Sequence, residues 1–268
     1  MAIITVSRGS YSKGREIAEK TAERLGYGCI GRDVIIDASR EFNIPEVKLI
    51  RAIHDAPSIL ERFGYGKERY IAYIQSAILK SLKQDRMVYH GLAGHFFLKD
   101  ISHVLKVRII ANMEDRIKFE MEREGVNEEK AFSILKKDDE QRVRWSTYLY
   151  GIDTRDPDLY DLVIHINRLD TDDAVDIICN TVSSDKFKTT PQSQKKIEDL
   201  SVAAEVKAAL IDMKPDIRVS AADGIVLVTT KAHESEEKSL TSEMKQIVKD
   251  IPGVKDLEVK VRLSDIVE

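Results

Sequence analysis

The residues Gly9-Ser10-Tyr11-Ser12-Lys13-Gly14-Arg15-Glu16 have the types and spacing that hold a phosphate group. Backbone N–H groups of a glycine loop, and of the helix start that follows it, lack intrahelical partners and sit at the positive end of the helix dipole, so they converge on an anion. Gly9 permits a tight exit from a preceding strand, and Gly14 lets the backbone approach the phosphate. The standard pattern G-x-x-x-x-G-K-[ST] puts lysine where Arg15 stands and a hydroxyl where Glu16 stands. Arg15 keeps the positive charge and forks onto two oxygens, whereas Glu16 offers a carboxylate in place of the hydroxyl that helps hold Mg²⁺. An ordinary strand-turn-helix with a helix-favouring Glu in its first turn fits the same residues.

Transfer of a phosphoryl group needs positive charge around the migrating oxygens more than a covalent nucleophile. Arg116 and Arg123 lie seven apart on one helical face, and a second helix carries Lys136, Lys137, Arg142 and Arg144 with Asp138 and Asp139 between them. Such a cluster on a lid closes over phosphates and excludes water; a solvated helix of alternating charge has the same pattern. Arg51, Arg62, Lys67 and Arg69 are candidates for binding the phosphate of an acceptor. His90 and Gly91 end an apolar run beside the predicted phosphate site, while His54, His95 and His103 form no metal-ligand spacing and read as satisfied or surface groups. Trp145, Tyr148 and Tyr150 read as packing residues.

The elements that position these groups follow from periodicity. Ala2 to Val6 reads as a buried strand, and Ile17, Ala18, Thr21, Ala22 and Leu25 share one face of a helix. Short strands are predicted at Tyr27–Ile30, Met87–His90, Val104–Ala111 and Leu159–Ile166, with helices between them, strongly so over Arg116–Trp145 and again over Ala174–Val182. Strands separated by helices predict an α/β fold, a parallel sheet flanked by helices, with ligands beyond the carboxyl ends of the strands. Ser183–Gln194 is polar and reads as a linker. Beyond it an α-β-β-α-β pattern predicts a small α+β module: a helix over Ile197–Met213, a hairpin about Ala222-Asp223-Gly224, a helix over Glu236–Lys249 and a strand over Leu257–Leu263.

The whole chain narrows the classes. With 42 basic and 46 acidic residues in 268, no global charge favours nucleic acid or an anionic membrane, so any anion site is local. Cys29 and Cys179 are isolated, which fits a reducing compartment and carries no zinc signature. No run approaches the ~20 apolar residues that span a bilayer, and a soluble, cytoplasmic protein is expected.

From Ile3 to about Val182 the chain resembles the cytidylate kinase-like family of P-loop nucleoside monophosphate kinases. The matching pieces are Ile4-Thr5-Val6-Ser7-Arg8 with Gly14-Arg15-Glu16-Ile17-Ala18, Leu25-Gly26-Tyr27, Arg32-Asp33 and His90-Gly91-Leu92-Ala93-Gly94. They continue with Val107-Arg108-Ile109-Ile110-Ala111, Glu114-Asp115-Arg116, Lys137-Asp138-Asp139-Glu140-Gln141-Arg142 and the stretch Asp156 to Ile164. The resemblance implies a P-loop sheet with helical acceptor and lid regions, ATP with Mg²⁺ on the glycine loop, and transfer to a cytidine monophosphate-type acceptor. It implies a phosphate loop of Gly9, Ser12, Lys13, Gly14 and Arg15, lid charges at Arg116, Lys137 and Arg142, and an acidic residue near the acceptor at Asp33. Where the family places Gly-Arg-Asp after the central strand, this chain has Gly91-Leu92-Ala93.

From about Lys196 to Leu263 the chain resembles a BON domain, on Val206-Lys207-Ala208-Ala209-Leu210, Ile217-Arg218-Val219, Asp223 to Val228 and Ile251-Pro252-Gly253-Val254. That resemblance implies contact with phospholipid surfaces; with no signal peptide beside it, a ligand-sensing, regulatory or dimerising role, making a homo-oligomer, is equally expected. The expected arrangement is residues 1–184 as the kinase-like domain, 185–195 as linker and 196–268 as the BON-like domain. The leading expectation is a kinase using ATP and Mg²⁺ on a nucleotide or similar small acceptor, with Arg15, Arg116, Lys137 and Arg142 catalytic. Asp33, Arg51, His90 and Gly91 are the expected acceptor residues. The rival is a non-catalytic nucleotide sensor or scaffold signalling through the C-terminal module, motivated by Glu16, Leu92 and Ala93.

Overall fold

The computed structural model describes residues 2–9, 12–31, 33–42, 66–91, 94–98 and 100–262. In chain order the elements are β1 (Ile3–Arg8), α1 (Gly14–Leu25), β2 (Gly28–Ile30), α2 (Asp33–Glu41), α3 (Gly66–Leu82), β3 (Met87–His90), α4 (Gly94–Phe97), β4 (Val104–Ala111), α5 (Met113–Glu124) and α6 (Glu128–Tyr150). They continue as β5 (Leu162–Ile166), α7 (Thr171–Val182), α8 (Pro191–Leu210), β6 (Arg218–Ala222), β7 (Ile225–Lys231), α9 (Glu237–Val248) and β8 (Asp256–Arg262). The chain forms two compact units, Met1–Ile59 with Gln84–Thr190, and Leu60–Lys83 with Pro191–Glu268.

The first unit is a five-stranded parallel sheet in the order β2-β3-β1-β4-β5. A central parallel strand is covered on both faces, which is why β1 is a continuous apolar run, Ile3, Ile4 and Val6 all being buried. The face of α1 that carries Ile17, Ala18, Thr21 and Ala22 packs into the same core as Val107, Ile109, Ile164 and Ile178. The helix ends where Gly26, at φ 66°, takes the left-handed conformation that closes a helix. Gly125 (φ 64°) likewise ends α5, and Asn127 starts α6 by accepting from the Lys130 amide at 3.0 Å, so the long helical stretch is two helices meeting at a corner. Strand β5 begins at Leu162 and not at Leu159, because Asp156 caps a 3-10 turn over Pro157–Leu159.

The second unit has the expected α-β-β-α-β order, α8-β6-β7-α9-β8, with β7 antiparallel to β6 and parallel to β8. Asp223 (φ 56°) and Gly224 (φ 82°) make the two-residue left-handed turn that suits a twisted hairpin. Val226, Val228, Leu240, Met244, Leu257 and Val259 are buried here. In the stretch read as a linker, residues 185–187 form a 3-10 turn and α8 begins at Pro191, the end of a helix where proline lacks no needed donor. This unit also contains α3, which packs along α8. Asp212 accepts from the Tyr73 hydroxyl at 3.1 Å and pairs with Arg69 at 2.6 Å, and the Gln194 amide donates to the Lys83 carbonyl at 2.8 Å. Among the described residues no helix is long and apolar enough to cross a membrane.

Candidate active site

The chain leaves β1 at Arg8 and turns into α1 over a short loop. Gly9 N–H donates to the Ile109 carbonyl at 3.2 Å, tying the loop to β4. The Ser12 hydroxyl is fully buried, 3.1 Å from both the Gly9 and the Ile109 carbonyls, and fixes the loop from below. Lys13 adopts φ 59° as the residue before α1 and makes no side-chain cap to the first-turn amides, the groups that a helix start turns toward an anion. The two glycines differ in their surroundings. A Cβ on Gly14 would lie 2.8 Å from the Arg8 Cβ, so Gly14 makes room for the Arg8 stem; a Cβ on Gly9 would meet no described atom within 4 Å. Arg15 is exposed and donates to Glu19 at 2.8 Å, while the Glu16 carboxylate lies 3.5 Å from Lys20. Ser10 and Tyr11 lie outside the described residues.

Two clefts open beside the carboxyl ends of the strands. The larger, about 490 Å³, runs from Arg8 and Gly9 past Arg108 and Ala111 to Lys136, Asp139, Arg142 and Arg144 on α6, and to Thr154 and Arg155. The smaller, about 330 Å³, lies between Lys13, Arg116 and Phe119 on one side and Ile166, Asn167 and Leu169 on the other. Arg116 lines both. It is 8% exposed, and its Nη2 donates to Asp139 at 2.7 Å, from α5 to α6. Arg142 faces the larger cleft, as does Lys136; Lys137, one residue on along the helix, lines neither.

Beneath the larger cleft lies a polar floor. The Tyr160 hydroxyl donates to the Thr154 carbonyl at 2.9 Å, and its oxygen lies 3.1 Å from Ser7 Oγ and 3.2 Å from His95 Nε2. Arg108 Nη1 reaches the Tyr160 oxygen at 3.4 Å and Ser7 Oγ at 3.5 Å, with its guanidinium carbon 5.6 Å from the centre of the Tyr160 ring. Burial, reinforced by the charges of Arg108 and Lys106, pulls the His95 pKa down to about 3, so the ring is neutral and adds no charge to the floor. Arg155 makes a two-pronged contact with Asp153 at 2.7 to 3.1 Å, and this holds the Asp153 carboxyl below its usual range.

Residues 3–168 match the model of the cytidylate kinase-like family. The chain belongs to the cytidylate kinase-like family. It is 26% identical over 182 residues to the cytidylate kinase of Sulfolobus acidocaldarius, an alignment covering 67% of this chain and 93% of that one. The crystal structure of an uncharacterized protein from Eubacterium ventriosum shares the fold, with a TM-score of 0.52 at 22% identity, over 69% of this chain and 99% of that one.

In this cytidylate kinase-like chain, the described acceptor candidates His90 and Gly91 are not among the residues lining the two clefts. His90 ends β3 with its ring against Gly31, where a Cβ would come 2.4 Å from the ring. Gly91 and Gly94 make room for the buried Tyr89 side chain, whose hydroxyl and ring lie 2.5 and 2.3 Å from the Cβ positions they respectively lack. Asp33 opens α2; its side chain, Arg51, Arg62, Leu92 and Ala93 lie outside the described residues. Arg8 and Arg108, which stand inside the matching motifs, and Arg155 line the larger cleft without being among the expected site residues, and neither is Tyr160 beneath Arg108. For Arg8 a signal existed, since it is a cation at the carboxyl end of a mainly apolar strand; Arg108 stands inside β4, two residues after Lys106, with no such signal.

Proposed function

We propose that this protein is an ATP-dependent phosphotransferase that moves the γ-phosphoryl group to a nucleoside monophosphate or a similar small acceptor. One observation carries the reading: Arg116 borders both clefts, so a single buried guanidinium stands where a donor in one and an acceptor in the other would meet. The smaller cleft, with Phe119, Ile166 and Leu169 on its walls and Lys13 at its loop end, suits the base and ribose of the donor. The amides at the start of α1 suit its phosphates, and the larger cleft, rich in arginine, suits the acceptor. In this reading Arg116 carries the charge-stabilising role, with Arg142 beside it.

Magnesium accompanies ATP in this reading and would neutralise phosphate charge. Among the described residues no three His, Cys, Asp or Glu are grouped to hold a metal, the Ser12 hydroxyl is taken up by two carbonyls, and Glu16 faces Lys20. The residues described do not fit a metal site, and no step is assigned to the ion. The engaged Ser12 hydroxyl, and a carboxylate at Glu16 in place of a hydroxyl, support the second reading, a nucleotide sensor without transfer. The α-β-β-α-β unit is proposed as a BON-like regulatory module, on its element order alone.

An acceptor screen with ATP and Mg²⁺ separates the readings. Transfer to a nucleoside monophosphate, lost in Arg116→Ala, is the expected result. Thermal stabilisation by ATP with no transfer to any acceptor overturns the kinase reading in favour of the sensor.

A further inference from the structure

Most carboxylates around the larger cleft already have a cation. Asp139 pairs with Arg116 at 2.7 Å, Glu140 with Arg144 at 3.6 Å, and Asp153 with Arg155 at 2.7 Å. Arg108 is different. It is half-buried on β4, and among the described residues no carboxylate pairs with it; its contacts are two neutral hydroxyls and an aromatic ring. Asp153 feels the Arg108 charge but is already tied to Arg155, so the half-buried guanidinium keeps no directly paired carboxylate among the described residues, and an anion has an entry to it, since Arg108 lines the cleft.

The support under Arg108 is built from three separated parts of the chain. Ser7 is 6% exposed, His95 4% and Thr154 6%, and the half-buried Tyr160 hydroxyl joins all three. A side chain held this way has lost its freedom before any ligand arrives, which is what a pre-organised binding group requires. His95 packs on Tyr160 with ring centres 4.9 Å apart and is neutral, so it adds no charge beside Arg108.

We propose that Arg108, held by Tyr160, Ser7 and His95, is an oxyanion subsite that takes a phosphate or carboxylate group of the molecule bound in the larger cleft. Calling that molecule the acceptor rests on the kinase reading; the anion site itself does not. Tyr160 is a positioning residue, acting through Arg108.

Calorimetric titration of the full chain with inorganic phosphate, with a nucleoside monophosphate and with succinate tests this, alongside Arg108→Gln and Tyr160→Phe. Wild type binds at least one of these anions below about 10 mM, and the anion that binds tells phosphate from carboxylate recognition. Arg108→Gln weakens that binding at least about tenfold, as loss of a charged fork does, while ATP affinity stays within about twofold. Tyr160→Phe, which removes the hydroxyl and keeps the ring, weakens it by about two- to fivefold. Should Arg108→Gln not fold, Arg108→Lys keeps the charge without the fork and is expected to lose most of the affinity. No anion binding by wild type, or equal binding by wild type and the folded Arg108 variant, overturns the subsite. Anion binding that depends on Arg108 without any transfer activity leaves the subsite standing and removes the kinase reading. Transfer whose acceptor KM is the same in Arg108→Gln does the reverse.

Discussion

Arg116 on α5 donates to Asp139 on α6 at 2.7 Å, and the same arginine borders both clefts. To meet a phosphate oxygen it has to share or release that carboxylate. Asp139→Asn keeps the shape and removes the competing charge. A partly exposed ion pair of this kind is worth about 1 kcal/mol, so ATP affinity is expected to rise about fivefold. Arg116→Ala is expected to lower turnover by about a hundredfold or more, the usual effect of deleting a charge-stabilising donor. Calorimetry with ATP checks the first outcome and single-turnover kinetics the second; weaker ATP binding by Asp139→Asn would contradict this placement of Arg116.

The neutral His95 ties stability to pH. Its pKa is about 3 in the folded chain and 6.5 when free, so between those values the unfolded chain takes up a proton that the native one does not. Stability contributed by this site therefore falls as pH falls from about 6.5 toward 3, by up to about 1.4 kcal/mol per pH unit. Above pH 6.5 the histidine contributes no slope. His103, also held below its usual value by burial, acts in the same direction. Urea unfolding of wild type and His95→Gln isolates the difference: the variant's curve between pH 6.5 and 4.5 is expected to be the flatter one, and parallel curves would count against a neutral buried His95.

The phosphate loop offers a paired test. Gly14→Ala forces a Cβ to within 2.8 Å of the Arg8 Cβ, while the same change at Gly9 meets no described atom within 4 Å. Gly14→Ala is expected to cost about 1–3 kcal/mol, the usual range for overpacking, and Gly9→Ala to stay within about 0.5 kcal/mol. Denaturant midpoints decide it, and equal losses at both positions would mean that the loop glycines serve backbone conformation alone.

What the sequence made legible was whatever depends on near neighbours. Met87–His90 and Val104–Ala111 are strands with the expected bounds because short, mainly apolar runs mark buried parallel strands, even with Lys106 and Arg108 inside the second, and α1 buries the face its 3.6-residue period marks. Asp223-Gly224 announces its hairpin because the two-residue turn demands left-handed residues. The floor under Arg108 was not legible: Ser7, His95 and Tyr160 come from three segments with no shared local pattern, and only the topology of the sheet brings them together. On α6 the difference between Lys136 and Lys137 is one step of helical phase, which a charge cluster read as a block does not resolve. Nor does the amphipathic pattern of α3 name the helix it packs on.

Helix α3 has a second consequence, in time. It lies inside the N-terminal half of the chain, yet its packing partner α8 begins at Pro191. Roughly a hundred residues separate them, and a ribosome adding about 5–20 residues per second leaves α3 without α8 for several seconds. Ile74, Ile78, Leu79 and Leu82, all buried in the finished protein, are on offer to chaperones or to other nascent chains during that wait. The order of synthesis therefore sets a hazard that the native packing conceals, and it explains why cutting the chain at its linker would not yield two whole units.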